Sequence, residues 1–250
     1  MNDIPIHTDI SPKLHPNALR GDSPGVLAAR VALGALYQAE GKIRDLHAVV
    51  HNRAILHQKQ AIAYLPKPKA GHKPLAPPLM YDPAAASHVI ETGAPLAKAA
   101  LASADSTIAT LTDQIVHLDS AIGLKLSAGK SSRDSELRAW ASRQDSPFLV
   151  LGEMAQAATE NKAMISAVLD GESYLSGITP DNHELLRSVA GGVVAPEETQ
   201  AREQTAEALS HLTASAKSFV ATTGRLFTGL QNADVGAINQ IANEGDTGNG

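Results

Sequence analysis

Two stripes of apolar residues, stepping alternately by three and four, constrain this chain more than any other feature. In the first, Leu101, Ala104, Ile108, Leu111, Ile115, Leu118 and Ile122 run through three heptads, with Thr, Asp, Gln and Ser between them. In the second, Leu209, Leu212, Ala216, Phe219, Thr223, Leu226 and Leu230 repeat the same steps. A period near 3.5 lines one side of an α-helix and cannot line one face of a strand. Each helix has room for about 35 residues, roughly 50 Å at the usual rise. Neither buries its stripe alone. The simplest solution is an antiparallel pair spanning about 94–128 and 196–231, although heptads also allow pairing between chains.

Composition agrees with helices. Of the 250 residues, 43% are hydrophobic but only 3% aromatic, so the core must be built mainly from Ala, Leu, Ile and Val. The length allows one or two domains. Cysteine is absent, which excludes disulfides, thiolate metal sites and thiol nucleophiles. No apolar run approaches the 18–20 residues of a membrane span, and the opening MNDIPIHTDISPK has no apolar signal core. Neither membrane insertion nor secretion by that route is expected.

Proline and glycine punctuate the rest. Residues 1–22 contain Pro5, Pro12 and Pro16 with little periodicity and read as an extended arm. Ser23-Pro24 is a helix start, and Val26, Leu27, Val31, Leu36, Ile43, Leu46 and Val50 predict a helix over 24–63. Residues 64–83 form a basic linker, with six prolines between Pro66 and Pro83. The first long helix falls within 84–130. Residues 131–194 read as a head of short helices opening near Ser132, Ser146-Pro147, Thr159-Glu160 and Thr179-Pro180, the last ending at Gly191-Gly192. The only Trp, Trp140, lies in this head. Ala195-Pro196-Glu197-Glu198 opens the second long helix, within 195–231, and 232–250 read as a short helix and a polar tail. The predicted fold is therefore all-α: a long helix pair, a small head, an N-terminal helix and two arms.

The net charge of −5 conceals an asymmetry. Residues 1–82 carry ten basic and six acidic side chains, and residues 83–250 carry eleven and twenty. Lys42, Arg44, Arg53, Lys59, Lys67, Lys69 and Lys73 are accompanied by a single acid, Asp45. This pattern reads as a solvated face, as a docking surface for an acidic protein such as a second copy, or as a contact to nucleic acid, in that order of preference.

Catalytic motifs are few. Gly129-Lys130-Ser131 lacks the earlier glycine and preceding strand of a phosphate loop, and Gly129 reads as a helix end. His47 and His51 lie one helical turn apart, spacing that can place two imidazoles on a metal, but no HExxH base accompanies them. They are the only metal candidates, and histidines facing solvent or a subunit contact are the preferred reading. Arg20-Gly21-Asp22 immediately precedes a helix cap. No G-x-S-x-G elbow or glycine-rich dinucleotide turn is present. No cofactor, small-molecule substrate or enzymatic activity is expected.

Within 146–198, the positions Ala167, Val168, Leu169, then Tyr174, Leu175, Ser176, Gly177, Ile178, then Leu185, Leu186, Arg187 and finally Ala195, Pro196, Glu197 form an ordered pattern before the long C-terminal helix. In this the chain resembles helical virion-associated proteins encoded among tailed-phage structural genes. The resemblance covers about a fifth of the chain and carries no activity. It implies a structural component of a phage particle, at the head–tail interface or inside the capsid. Such a component would be made in the bacterial cytoplasm, would assemble with itself and other virion proteins, and would clasp neighbours through residues 1–22 and 64–83. Two alternatives are a virion protein that touches DNA or leaves with the genome, using residues 42–73, and a bacterial coiled-coil adaptor.

Overall fold

A computed structural model describes residues 8–64, 77, 79–129 and 131–245, and of 232–245 the backbone alone. Among these residues all regular structure is helical. The α-helices are α1 (Pro24–Ala63), α2 (Pro83–Leu126), α3 (Asp134–Ser142), α4 (Pro147–Gln156), α5 (Lys162–Leu169), α6 (Pro180–Val194) and α7 (Pro196–Gly245). No helix among the described residues is long and apolar enough to cross a membrane. The chain divides into two compact units, one of residues 1–20, 28–108 and 211–250, the other of 21–27 and 109–210.

In the first unit, segments of α1, α2 and α7 share a core. Val50 of α1, Ala86 and Val89 of α2, and Leu230 of α7 belong to one buried cluster. The close approach is set by Gly93, where a Cβ would lie 3.0 Å from the Phe227 ring and 3.4 Å from Ile43. On α1 the buried face runs through Ala29, Leu33, Leu36, Tyr37, Ile43 and Ala54. Leu27 and Val31, expected on it, are exposed instead. Both lie out of phase with the 3.6-residue period that the buried residues follow.

Of the expected N-terminal arm, residues 1–7 lie outside the described residues, and residues 8–22 are not a free extended segment. Pro12–Leu14 and Pro16–Ala18 form short 3₁₀ turns, and Ile10, Leu14 and Leu19 are buried. The Arg30 guanidinium donates to the Leu19 carbonyl at 2.9 and 3.2 Å, and His211 Nε2 donates to the Lys13 carbonyl at 2.6 Å. Prolines that deny this segment a long helix still leave its apolar residues able to bury. Of the expected linker, 65–76 and 78 lie outside the described residues.

The helix pair expected over 94–128 and 196–231 is longer at both outer ends. Helix α2 starts at Pro83, since Asp82 Oδ1 accepts from the Ala84 amide at 3.1 Å and proline is favourable at the first helical position. Pro95 is carried inside the helix, not at its start. Helix α7 continues to Gly245, through a stretch with no proline to stop it. The two helices run antiparallel within each unit: Gly93 meets Phe227 in the first, and Asp119 pairs with Arg202 and Lys125 with Glu198 in the second. Along the stripes, Ala104, Leu111, Ile122, Leu212, Ala216, Phe219, Thr223 and Leu230 are buried. Leu101, Ile108, Ile115, Leu118, Leu209 and Leu226 are half-buried.

In the second unit, α3–α6 gather around Ile122 and Leu126 of α2, with Leu151, Ile165, Val168 and Leu186 at the centre. Helix α2 ends in a 3₁₀ turn at Ser127–Gly129, where a Cβ on Gly129 would collide with the Lys162 carbonyl. Several local expectations change. Helix α3 begins at Asp134, whose carboxylate accepts from the Ser131 amide, so Ser132 is not its cap. Helix α5 begins at Lys162, beyond Thr159-Glu160. Thr179 does cap α6, accepting from the Asn182 amide at 3.3 Å, but α6 passes through Gly191-Gly192 to Val194. Trp140 is 40% exposed and does not anchor the core, which is filled by aliphatic side chains.

Candidate interaction surfaces and polar clefts

The basic positions of α1 separate by their phase on the helix. Lys42, Arg53 and Lys59 are exposed, on the side away from Ile43, Val50 and Ala54. Between them Val49 and Leu56, seven residues apart, are 62% and 55% exposed. Arg44 does not belong to this surface. It is turned toward the core, where its Nε donates to the buried Glu40 carboxylate at 2.8 Å. Lys67, Lys69 and Lys73 lie outside the described residues.

His47 and His51 are on the inner side of α1, in the first unit. Their rings stack at 5.7 Å with 22° between planes, and Tyr81 stands 6.4 and 6.0 Å from them. His51 Nδ1 shares a hydrogen bond of 2.7 Å with the Tyr81 hydroxyl, and Gln58 Nε2 donates to the Pro77 carbonyl at 2.6 Å. These two bonds tie the chain entering α2 to the C-terminal half of α1. Burial lowers the His47 pKa from its ordinary value, helped by the neighbouring His51 and Arg44 charges, and burial raises that of Tyr81. Among the described residues no group of three or more His, Asp or Glu is placed to hold a metal. The third neighbour of the histidine pair is a phenol, and Asp45, the closest carboxylate in the chain, is exposed on the opposite side of the helix. Beside Tyr81 an open cavity of about 410 Å³ is walled by Ala54, His57, Gln58, Pro77 and Met80.

The second unit has a smaller, more polar cleft of about 90 Å³ where α2, α6 and the start of α7 meet. Asp119 accepts from Arg202 Nε at 3.0 Å on its wall. Close by, Lys125 Nζ donates to Glu198 at 2.6 Å, and that hydrogen bond holds the Glu198 carboxyl below the usual carboxylate range. Arg187 Nε and Thr199 Oγ1 are buried without a hydrogen-bond partner.

The residues that mattered here and drew no attention in the sequence are Glu40, Tyr81 and Thr199. A signal for the first was present: Glu40, Arg44, His47, His51 and Gln58 share one helical face with the core residues of α1. A polar line on an apolar face indicates partners to be found in the fold. Tyr81 and Thr199 gain their roles only through contacts distant in sequence. Comparison of the chain with protein-family models, curated proteins and solved structures finds no match.

Proposed function

We propose that this chain is a non-catalytic assembly subunit, and that the outer face of α1 is its docking surface for an acidic protein, in the first instance another copy of the same chain. The observation that carries this reading is the combination of Val49 and Leu56, both exposed, with Lys42, Arg53 and Lys59 on the same side of one helix. Apolar side chains left in water on a face with three cations against one acid, Asp45, favour a partner that removes the first and neutralises the net positive charge. Residues 83–250 carry twenty acidic against eleven basic side chains, so a second copy supplies the opposite charge. Phosphate backbones would use the cations but leave Val49 and Leu56 in water, which places nucleic acid second. The resemblance at 146–198 supports a phage particle as the setting for such a subunit.

The deciding measurement is the mass of the chain in solution at low and at high salt, alongside the charge-reversed variant K42E/R53E/K59E. Self-association that weakens with salt and is lost in the variant is the expected outcome. A monomer under every condition removes the second copy as partner. Binding of duplex DNA that falls steeply with salt and disappears in the same variant would replace this reading with the nucleic-acid one.

A further inference from the structure

We propose that the α1 docking face meets the outer face of α2, in the second unit of another copy, so that copies join head to tail. The proposal rests on the reading of α1 as a docking surface and names the surface that it covers. On α2, Val116 and Leu124 are 59% and 73% exposed. Asp113 and Ser120 are exposed in the same sector of the helix, about 80° wide at 3.6 residues per turn. The buried residues Leu111, Ile122 and Leu126 point the other way. Two large aliphatic side chains held in water on one helix face mark a surface that gains from being covered.

Charge selects the partner. The second unit carries sixteen acidic and eight basic side chains, whereas the first carries ten acidic and thirteen basic. Beside the outer face of α2, one turn from Val116, Asp119 lines the cleft with Glu184 and Glu203 against Arg187 and Arg202, a balance of one negative charge. This surface therefore combines exposed aliphatic side chains with an excess of acid. The α1 face combines Val49 and Leu56 with an excess of base. Two α1 faces set against each other would bring like net charges together, so a symmetric α1–α1 contact is disfavoured. Contact between unlike faces is heterologous and repeats from copy to copy.

Spacing fixes the direction. Val49 to Leu56 spans about 10 Å along α1, and Val116 to Leu124 about 12 Å along α2, so the two apolar pairs can face each other. With the helices antiparallel, Leu56 meets Val116 and Val49 meets Leu124. Lys59 then falls opposite Asp113, and Arg53 falls beside Asp119 at the acidic rim of the cleft. With the helices parallel, Asp45 would instead face Asp113 and Lys59 would lie past the end of α2. The antiparallel arrangement pairs opposite charges and the parallel one does not.

The test is the solution mass of the full chain by light scattering, for the parent, for K42E/R53E/K59E, for V116S/L124S and for an equal mixture of the two variants. All five substituted positions are exposed, and circular dichroism checks that helix content is kept. Each variant alone should associate about tenfold more weakly than the parent, since each has lost one of two faces. The mixture should form a one-to-one pair and nothing larger, because one intact α1 face meets one intact α2 face. Lys59→Asp alone should weaken association several-fold, and mixing it with Asp113→Lys should restore it. If K42E/R53E/K59E fails to associate while V116S/L124S matches the parent, docking through α1 stands and the α2 face is overturned as its partner. Mixtures that remain monomeric overturn it as well. A parent chain that is monomeric throughout removes the second copy as partner, and this proposal with it.

Discussion

Glu40 and Arg44 stand one helical turn apart on α1, joined at 2.8 Å, yet their surroundings differ: Glu40 is 1% exposed while the Arg44 side chain keeps 31% of its surface in water. Glu40 Oε2 is buried without a partner, so Arg44 alone compensates the carboxylate. Removing the arginine strands a buried charge, whereas replacing the acid with an apolar residue removes the demand. Arg44→Ala should cost about 1–3 kcal/mol, and Glu40→Leu should cost less. The double variant should recover most of what Arg44→Ala loses. Urea unfolding of the three variants checks the order, and a larger loss in Glu40→Leu than in Arg44→Ala contradicts it.

Gly93 separates packing from helix propensity. A methyl group there meets Phe227 at 3.0 Å and Ile43 at 3.4 Å, so Gly93→Ala should destabilise by roughly 1–3 kcal/mol. At Gly123 and Gly224 nothing lies within 4 Å of an added Cβ. Alanine there should instead stabilise by about 0.5–1 kcal/mol, the gain in helix propensity. Thermal unfolding of the three single variants would show opposite signs if these contacts set the balance.

Stability should fall in mild acid because of His47. Burial, with His51 and Arg44 nearby, holds its pKa below the ordinary imidazole value of about 6.5. As pH drops through that value the unfolded chain takes up a proton that the folded chain resists. The contribution of neutral His47 is therefore complete above about 6.5 and is lost as pH falls toward the folded value. Denaturation midpoints between neutral and mildly acid pH should decline in the parent chain and decline less in His47→Gln. Equal slopes would place the effect elsewhere.

Residues 8–20 should contribute to stability as well as to any assembly. Leu14 is 1% exposed, and its truncation to Ala should cost about 2–5 kcal/mol. Deletion of 1–22 removes Ile10, Leu14 and Leu19 together, along with the acceptors of Arg30 and His211. Its denaturation midpoint should drop sharply even where circular dichroism still reports helix at low temperature. An unchanged midpoint would mean that these residues only rest on the unit.

The α-helical class, the 24–63 helix and the pairing of the two heptad stripes were legible because apolar periodicity is local. A stripe at 3.5 spacing specifies a helix and a face to be buried wherever the chain goes. Local punctuation was less reliable: Pro95 was carried inside α2, Gly191-Gly192 inside α6, and the prolines before Ala18 shaped turns that bury leucines. Propensity costs of about one to a few kcal/mol are readily overridden by tertiary burial. The charge pattern revealed a basic α1, but only the helix phase divided outward Lys42, Arg53 and Lys59 from inward Arg44.

The sequence by itself determined the class of fold and the existence of two long amphipathic helices, since those follow from spacing along the chain. Only the tertiary structure decided that Glu40 relies on Arg44 for its pairing, that Tyr81 meets His51, and that Arg187 and Thr199 open on one cleft. The last two are encounters between residues 30 and 12 positions apart in sequence. No local period encodes such encounters, because they depend on how packed helices bring distant positions together.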